Sequence, residues 1–417
     1  MEKQPSEQLL SRSNFLQFFT AVYFFLYIFP FPLNYIPFVG KIFNWYHQTI
    51  EILTLWTGKT ILGLESLEKI QFTGSGDTTF DYVKIFTLLI LTLCVTLLVF
   101  FLRIRLNTGK IIVFVRTYGR YFLVLMLLSY GFSKFFEGQF SYPSLERLDR
   151  KIGDSSPMGL LWTFMGYSKI YTVFGGFCQV LAGCLLIFRR TMIIGSLLAL
   201  MVMTNIVILN FSYDVPVKLF STHLAVIALL LLIPNVVNLF HLFFMQKSVQ
   251  LIPERSLFEN KNKQLVAFLL KLMAISGLQL IVIIMTVRSF FDKPLNGHNL
   301  KAIYYPEQFT IESTSVNRWQ KFIINDRYAT VFYDEKRYED FDVKVDTLKH
   351  IIQLKSKKDT LNISTLNYRF SDKNIKMYLT GIFQKDTVSI TFNIKRKEDF
   401  ELVNRKFNWI SEYPYNK

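Results

Sequence analysis

The chain has 417 residues, a net charge of +16 and 51% hydrophobic residues. That apolar share is close to the ~45–50% of a soluble domain, so clustering decides: several apolar runs reach the roughly 20 residues that cross a bilayer core. Lys and Arg flank those runs, as expected of loops meeting anionic lipid; this excludes nucleic-acid binding, which needs a basic face on a soluble fold.

Residues 1–14 are polar, and an apolar run follows over 15–38, interrupted by Pro30 and Pro32. No small-residue cleavage site comes after it, so it reads as an uncleaved first span at about 15–36. Over 41–62, Ile42, Trp45, Ile52, Leu55 and Trp56 interleave with Lys41, Asn44, His47, Gln48, Glu51 and Lys59. Two Trp on an amphipathic segment predict a helix lying in the membrane interface. In the stretch 72–80, Gly74 and Gly76 can take positive φ, and Asp77 or Thr78 is placed to cap the next helix. An oxyanion-binding loop is the rival reading there; two glycines without a following Lys favour the cap.

The second span is expected at 83–102. It runs into Arg103, Arg105, Lys110, Arg116 and Arg120, which puts that loop in the cytoplasm. The third, at 121–136, exits through Lys134 and Glu137, which lie one turn apart and can pair. After a polar loop at 138–159, the fourth span begins near Leu160 or Thr163 and ends at Phe188, with Tyr167 and Lys169 near its start. Gly175, Gln179 and Gly183 recur every four residues, a small–polar–small stripe that lets another helix approach closely. Arg189 and Arg190 mark the cytoplasmic side again. Spans five, six and seven are expected at 192–211, 217–239 and 265–290. The basic loops alternate in a self-consistent way: seven spans, with the N-terminus inside and the C-terminus outside. The three cysteines, Cys94, Cys178 and Cys184, sit in apolar runs without metal or CxxC spacing and read as buried small hydrophobes.

From Asp292 the pattern changes to short runs of period two, such as Phe341-Asp-Val-Lys-Val and Thr387-Val-Ser-Ile-Thr-Phe-Asn-Ile, with spacers such as Ser371-Asp-Lys-Asn. This predicts an antiparallel β-meander, either a small sandwich or a lipocalin-like barrel. Trp319, Trp409 and the closing Glu412-Tyr-Pro-Tyr are core plugs or lid aromatics. Four regions result: 1–119, two spans and the interfacial helix; 120–243, four spans; 244–291, a cytoplasmic loop and the last span; and 292–417, the extracytoplasmic β-domain.

Polar residues inside apolar spans usually face protein or a wet cavity and mark function. They cluster at 205–223: Asn205, Asn210, Tyr213, Asp214, Lys218 and His223. Asp214 is placed to cap the sixth span, with Pro216 in its first turn, and Lys218 can pair with it one turn on. With the topology above, Lys134, Glu137, Tyr167 and Lys169 fall at the same outer level, so all these groups can line one outward-opening cavity. The bland alternative is that Asp214 and Lys218 form a cap and its ion pair, the other lysines snorkel, and Asn205 and Gln179 join helices. His223, about six residues inside, is too deep to snorkel and titrates near neutrality.

Over 120–243 the chain resembles the DoxX-like membrane family. The resemblance rests on Tyr130-Gly-Phe-Ser-Lys134, on Phe174-Gly-Gly-Phe-Cys-Gln-Val-Leu-Ala-Gly-Cys-Leu-Leu-Ile-Phe188 with its basic turn, and on Asn210-Phe-Ser-Tyr-Asp-Val-Pro-Val-Lys218 leading to Ser221-Thr-His223. It implies a four-helix membrane bundle with a quinone-facing, outward-opening pocket, in a bacterial inner-membrane protein of the Bacteroidetes type with a periplasmic β-domain. Many members carry an acidic residue where this chain has Gln179. Two functions follow as expectations. In an oxidoreductase-like protein that binds a quinone, His223 exchanges the proton, Lys218 and Lys134 stabilise oxyanion charge, Asp214 orients Lys218, and Asn205 and Tyr213 bind ring substituents. In a non-enzymatic scaffold or assembly factor, the β-domain instead binds an envelope protein or lipid.

Overall fold

The computed structural model describes residues 8–10, 12–35, 39–69, 74–136, 138–254, 258, 260–291, 300–311, 317–326, 328–334, 336–357, 363–384, 386–405, 408–414 and 416. They form two compact units: Met1–Ser141 with Ser156–Val287, and Tyr142–Ser155 with Arg288–Lys417.

The first unit is helical. A short strand β1 (Gln8–Leu9) precedes α1 (Arg12–Ile28), and a turn at Pro30 and Pro32 leads to α2 (Val39–Ile42) and α3 (Asn44–Trp56). Then come α4 (Thr79–Phe101), β2 (Arg105–Leu106), which pairs with β1, and α5 (Thr108–Phe135). The bundle continues through α7 (Pro157–Tyr167), α8 (Lys169–Ile187), α9 (Met192–Ser212), α10 (Lys218–Leu232), α11 (Val236–Met245) and α12 (Lys261–Phe291), while α6 (Leu145–Asp149) belongs to the second unit. Among the described residues, five helical stretches are long and apolar enough to cross a membrane: Thr79–Phe101, Thr108–Phe135, Lys169–Ile187, Met192–Ser212 and Lys218–Met245. The apolar stretch of α1, Asn14–Ile28, is shorter, because the prolines close the helix early.

Boundaries moved where capping outweighs hydropathy. The third span is no short helix from Tyr121. Asn107 accepts the Lys110 N–H at 3.0 Å and starts α5 at Thr108, so Arg116 and Arg120 lie on the helix and not in a loop. The fourth is broken in two, because Ser168 leaves helical geometry and accepts from the Tyr171 N–H, capping α8. The amphipathic segment forms α3, exposing Trp45, Ile52 and Trp56 and burying Ile50 and Thr54. Thr78 takes the cap of α4 in a reciprocal pair with Asp81.

The second unit is an eight-stranded antiparallel meander closed into a barrel, β3 (Ala302–Ile311), β4 (Lys321–Ile324), β5 (Tyr328–Phe332), β6 (Tyr338–Asp346), β7 (Ile351–Ser356), β8 (Ile363–Phe370), β9 (Lys376–Phe383) and β10 (Asp386–Lys395), followed by the short α13 (Glu401–Asn404). Every strand pairs with its sequence neighbour, and β10 pairs back onto β3. Of the two expected forms, the barrel is the one found. Eight strands enclose a space that side chains just fill. Trp319, Phe322, Phe341, Phe383 and Phe392 are each at most 2% exposed, and the Trp319 ring lies 4.8 Å from Phe383 and 5.2 Å from Phe322. Trp319 is thus a core plug, whereas Trp409 and Tyr413 are exposed. Leu145 of α6 packs with Ile303, Ile323 and Phe400 on the barrel. Asp149 accepts from Lys321 Nζ at 2.8 Å and from the Tyr305 hydroxyl, and Glu146 from Asn325 Nδ2 at 2.6 Å. The segment read as a polar loop is therefore a clasp on the barrel.

Candidate functional site

The hairpin between α9 and α10 is organised by a residue from outside it. Asp77 accepts the backbone N–H groups of Lys218 and Leu219 at 2.7 and 2.9 Å, and the Gly76 N–H donates to the Pro216 carbonyl at 2.8 Å. Asp77, and not Asp214, caps α10. Asp214 cannot, because it takes φ +49° at the turn and points its side chain outward. It does pair with Lys218, at 2.7 Å. Asn210 donates to Ser221 at 3.0 Å, and both are buried. Tyr213 packs with Phe140, Leu161, Met165 and Val215. Asn205 is exposed on α9, and Tyr167 and Lys169 are exposed where α7 meets α8. Glu137, Phe72 and Thr73 lie outside the described residues.

Lys134 is buried at the end of α5. Its ammonium donates to Gln179 Oε1 at 2.8 Å, Gln139 Oε1 at 2.7 Å and the Tyr130 carbonyl at 3.4 Å. The Tyr130 and Phe140 rings lie 5.9 and 5.7 Å from it. Gln179 is within reach because α5 and α8 touch backbone to backbone. A Cβ on Gly131 would stand 2.9 Å from the Gly176 carbonyl oxygen, and one on Gly176 2.8 Å from that of Gly131. The close stripe therefore runs through Gly176 and Gly183; Gly175 has nothing within 4 Å of its Cβ position.

His223 faces α1. Its Nδ1 lies 2.7 Å from the Leu219 carbonyl, which can only accept, so Nδ1 carries the hydrogen. Nε2 then accepts from the Tyr23 hydroxyl at 2.7 Å. The Tyr27 ring stacks on the imidazole at 4.1 Å and 10°. The residues singled out from sequence thus separate into a hairpin cap, a Lys134–Gln179 pair between α5 and α8, and a His223–Tyr23–Tyr27 stack against α1. Among the described residues, Lys134, Gln179, Asp214, Lys218 and His223 line neither of two cavities of the bundle.

A cavity of about 330 Å³ opens instead where α1 ends, α3 runs past and α4 begins. Tyr27, Phe80 and Phe122 form apolar wall, and His47, Glu51, Lys69, Asp81 and Lys84 supply charge. Lys69 and Glu51 pair at 2.5 Å. Asp81 is engaged in the α4 cap, accepting from the Thr78 N–H at 3.0 Å. Burial, with the charges of Lys84 and Lys69, lowers the His47 pKa. Tyr46 donates to the Leu26 carbonyl at 2.6 Å, and burial pushes its phenol up to about 12. Tyr27 joins the parts: it lines the cavity and backs onto His223. The sequence places His47 and Glu51 on the interfacial helix without assigning them a site, and it does not single out Tyr27, Lys69, Asp81 or Lys84. The available signals were Lys84 inside an otherwise apolar span and the His47–Glu51 spacing of one turn on α3.

What the fold defines is a mostly helical protein with, among the described residues, five apolar stretches long enough to cross a membrane, and a β-barrel. Over 113 residues, 27% of its length, the chain is 36% identical to the "Uncharacterized protein YwoB" of Bacillus subtilis (strain 168), and the match spans 71% of that protein. The chain belongs to the same family as that protein. No family model matches the chain, and no solved structure matches it significantly.

Proposed function

We propose that the chain is a seven-span inner-membrane protein of the DoxX-like type, with a cytoplasmic N-terminus and a periplasmic barrel. It binds a quinone or similar lipophilic ring in the cavity beside α1, α3 and α4, in an oxidoreductase-related role. The span count is supported by parity. The clasp at 142–155, which joins α5 to α7, and the barrel form one unit through pairs such as Asp149 with Lys321, so they share one side of the bilayer. Between them lie three membrane-length stretches, in α8, α9 and α10–α11. Three crossings would leave the barrel on the wrong side, and α12 supplies the fourth. The shorter α1 then completes seven with α4 and α5.

The observation that carries the function is the cavity itself, lined by Tyr27, Phe80 and Phe122 together with Lys84 and His47, with Tyr27 backed by His223. Mostly apolar clefts of about 300–1,000 Å³ with a few convergent polar groups are the usual form of a small-molecule site. A quinone ring lies against Tyr27, and its carbonyl oxygens accept from Lys84 and His47, which take the roles that the sequence alone assigned to Lys218 and Lys134. A short-chain quinone titrated into the purified chain tests this by difference spectra. A charge-assisted hydrogen bond of about 1.5–3 kcal/mol makes Lys84→Met bind about 10- to 150-fold more weakly, and Lys218→Met binds as the parent does. Equal binding by Lys84→Met and Tyr27→Ala sinks the reading.

A scaffold or assembly role is the second reading. It is favoured by a barrel whose interior is filled while Ile363 and Ile382 stand exposed on its outer wall. Charged replacements of both would then abolish crosslinking to an envelope partner or lipid and leave quinone binding intact.

A further inference from the structure

The outer wall of the barrel divides by chemistry. On β8, β9 and β10 the inward residues Leu366, Leu379 and Ile390 are at most 1% exposed, so the residues between them point outward. The strand register sets these outward side chains in rows. Asn367, Thr380, Ser389 and Thr310 stand abreast across β8, β9, β10 and β3. The next row is Arg369, Tyr378, Thr391 and Gln308. On the other side of the first, Ile382 stands between Thr365 and Thr387. All of them are exposed except Thr391, which is half-buried. Arg369 is the one charged residue in the three rows; beyond Tyr378 on β9, Lys376 is neutralised by Glu307 at 2.7 Å. The far side of the barrel is different. On β6, where Phe341 points inward, the outward positions carry Asp340, Asp342 and Lys344. Threonine suits a strand for its own sake, but asparagine is depleted in strands, so strand propensity does not account for Asn367 at the centre of the face.

We propose that this face binds a neutral glycan. Each Thr and Ser hydroxyl both donates and accepts, and each Asn or Gln amide offers two donors and an acceptor. A sugar ring is the complement, with hydroxyls around its edge and apolar C–H groups on its faces. Tyr378 is the stacking platform, since an aromatic ring is apolar in body and polar at its tip. The Arg369 guanidinium lies 5.8 Å from the Tyr378 centroid and adds donors at the same level. Asn367, Thr380 and Ser389 take the hydroxyls of the neighbouring rings. Adjacent strands are about 4.8 Å apart, comparable to the step from one ring to the next in an extended glycan. An acidic partner would find one cation among these rows. A second copy packed sheet on sheet would need interdigitating apolar side chains, and the rows offer Ile382 and one aromatic ring. The proposal rests on the barrel and does not depend on the quinone cavity.

The test uses the full-length chain in a polyoxyethylene detergent, whose headgroup carries no sugar. Retention is measured on immobilised cellulose, chitin and amylose, with immobilised heparin as the anionic comparison. Polymers present many copies of the ligand, so weak contacts add up to measurable retention. Retention on at least one neutral glycan, with less on heparin, is expected. Asn367→Ala and Tyr378→Ala should each weaken it about three- to tenfold, as one hydrogen-bonding group or one aromatic contact is lost. Asp342→Asn, on the far side, should bind as the parent does. Should Tyr378→Ala not fold, Thr380→Lys, at an exposed position, blocks the same face. Sedimentation of the parent and of Thr380→Lys tests for a second copy. No retention on any of the three neutral glycans, retention on heparin alone, retention undiminished in the variants, or a dimer that Thr380→Lys dissociates overturns the proposal.

Discussion

Replacing Gln179 with Leu removes one of three acceptors from a buried ammonium. Lys134 keeps Gln139 at 2.7 Å and the longer Tyr130 carbonyl contact at 3.4 Å. A hydrogen bond to a charged group contributes about 1.5–3 kcal/mol. Measured couplings between polar side chains in membrane bundles average only ~0.6 kcal/mol and reach ~1.7. The ranges meet near about 1.5 kcal/mol, which is the expected loss for Gln179→Leu, since the remaining acceptors are strong but already in use. Gln179→Glu should keep or raise stability, because a carboxylate meets the ammonium at the same place. The double variant Lys134→Met, Gln179→Leu should recover most of the loss, because replacing both partners by apolar groups of similar shape leaves nothing unsatisfied. Reversible unfolding in mixed micelles, followed by helical ellipticity, gives all three values. A double variant that is less stable than Gln179→Leu would refute the reasoning, since it would mean that the ammonium stabilises the bundle by packing and not through Gln179.

Two further outcomes follow from the same geometry. Asp77→Ala should cost about 1–2 kcal/mol as a lost helix cap, whereas Asp214→Ala, which removes only an exposed ion pair, should cost less than about 1 kcal/mol; thermal unfolding of the two variants that ranks them the other way contradicts the capping assignment. Gly131→Ala pushes a Cβ to 2.6 Å from Val180 and 2.9 Å from the Gly176 carbonyl, an overpacking that costs about 1–3 kcal/mol, and Gly175→Ala, with open space around it, should be neutral or slightly stabilising in the same melt.

The fold was legible where a pattern repeats over many residues. The apolar runs gave the helices, and the period-two runs gave the strands of the barrel, because burial on one face is written into every second residue. What the sequence hid is pairing across distance. Asp214 is well placed for a cap by local spacing, but Asp77 reaches the same N–H groups from more than a hundred residues away, and only the fold brings it there. Gly175 and Gly176 are neighbours on α8, and the helix rotation that favours one over the other is set by packing against α5. His223 was recognised as too deep to snorkel; that it faces Tyr23 and Tyr27 of α1 depends on a contact over 200 residues. Lys84 stands in the second expected span, and only the packing of α3 beside α4 puts it on the same cavity as His47.

The polar residues of the bundle divide by how completely the described residues satisfy them. Lys134 is buried, yet three oxygens surround it. His223 has both ring nitrogens engaged. Such groups hold helices in register and have no free valence for a ligand until something moves. Arg120 is more deeply buried than Lys134, but among the described residues one of its donors has no acceptor and no carboxylate pairs with it. A guanidinium stays charged at any accessible pH, so it cannot escape this cost by losing a proton, as a buried lysine can.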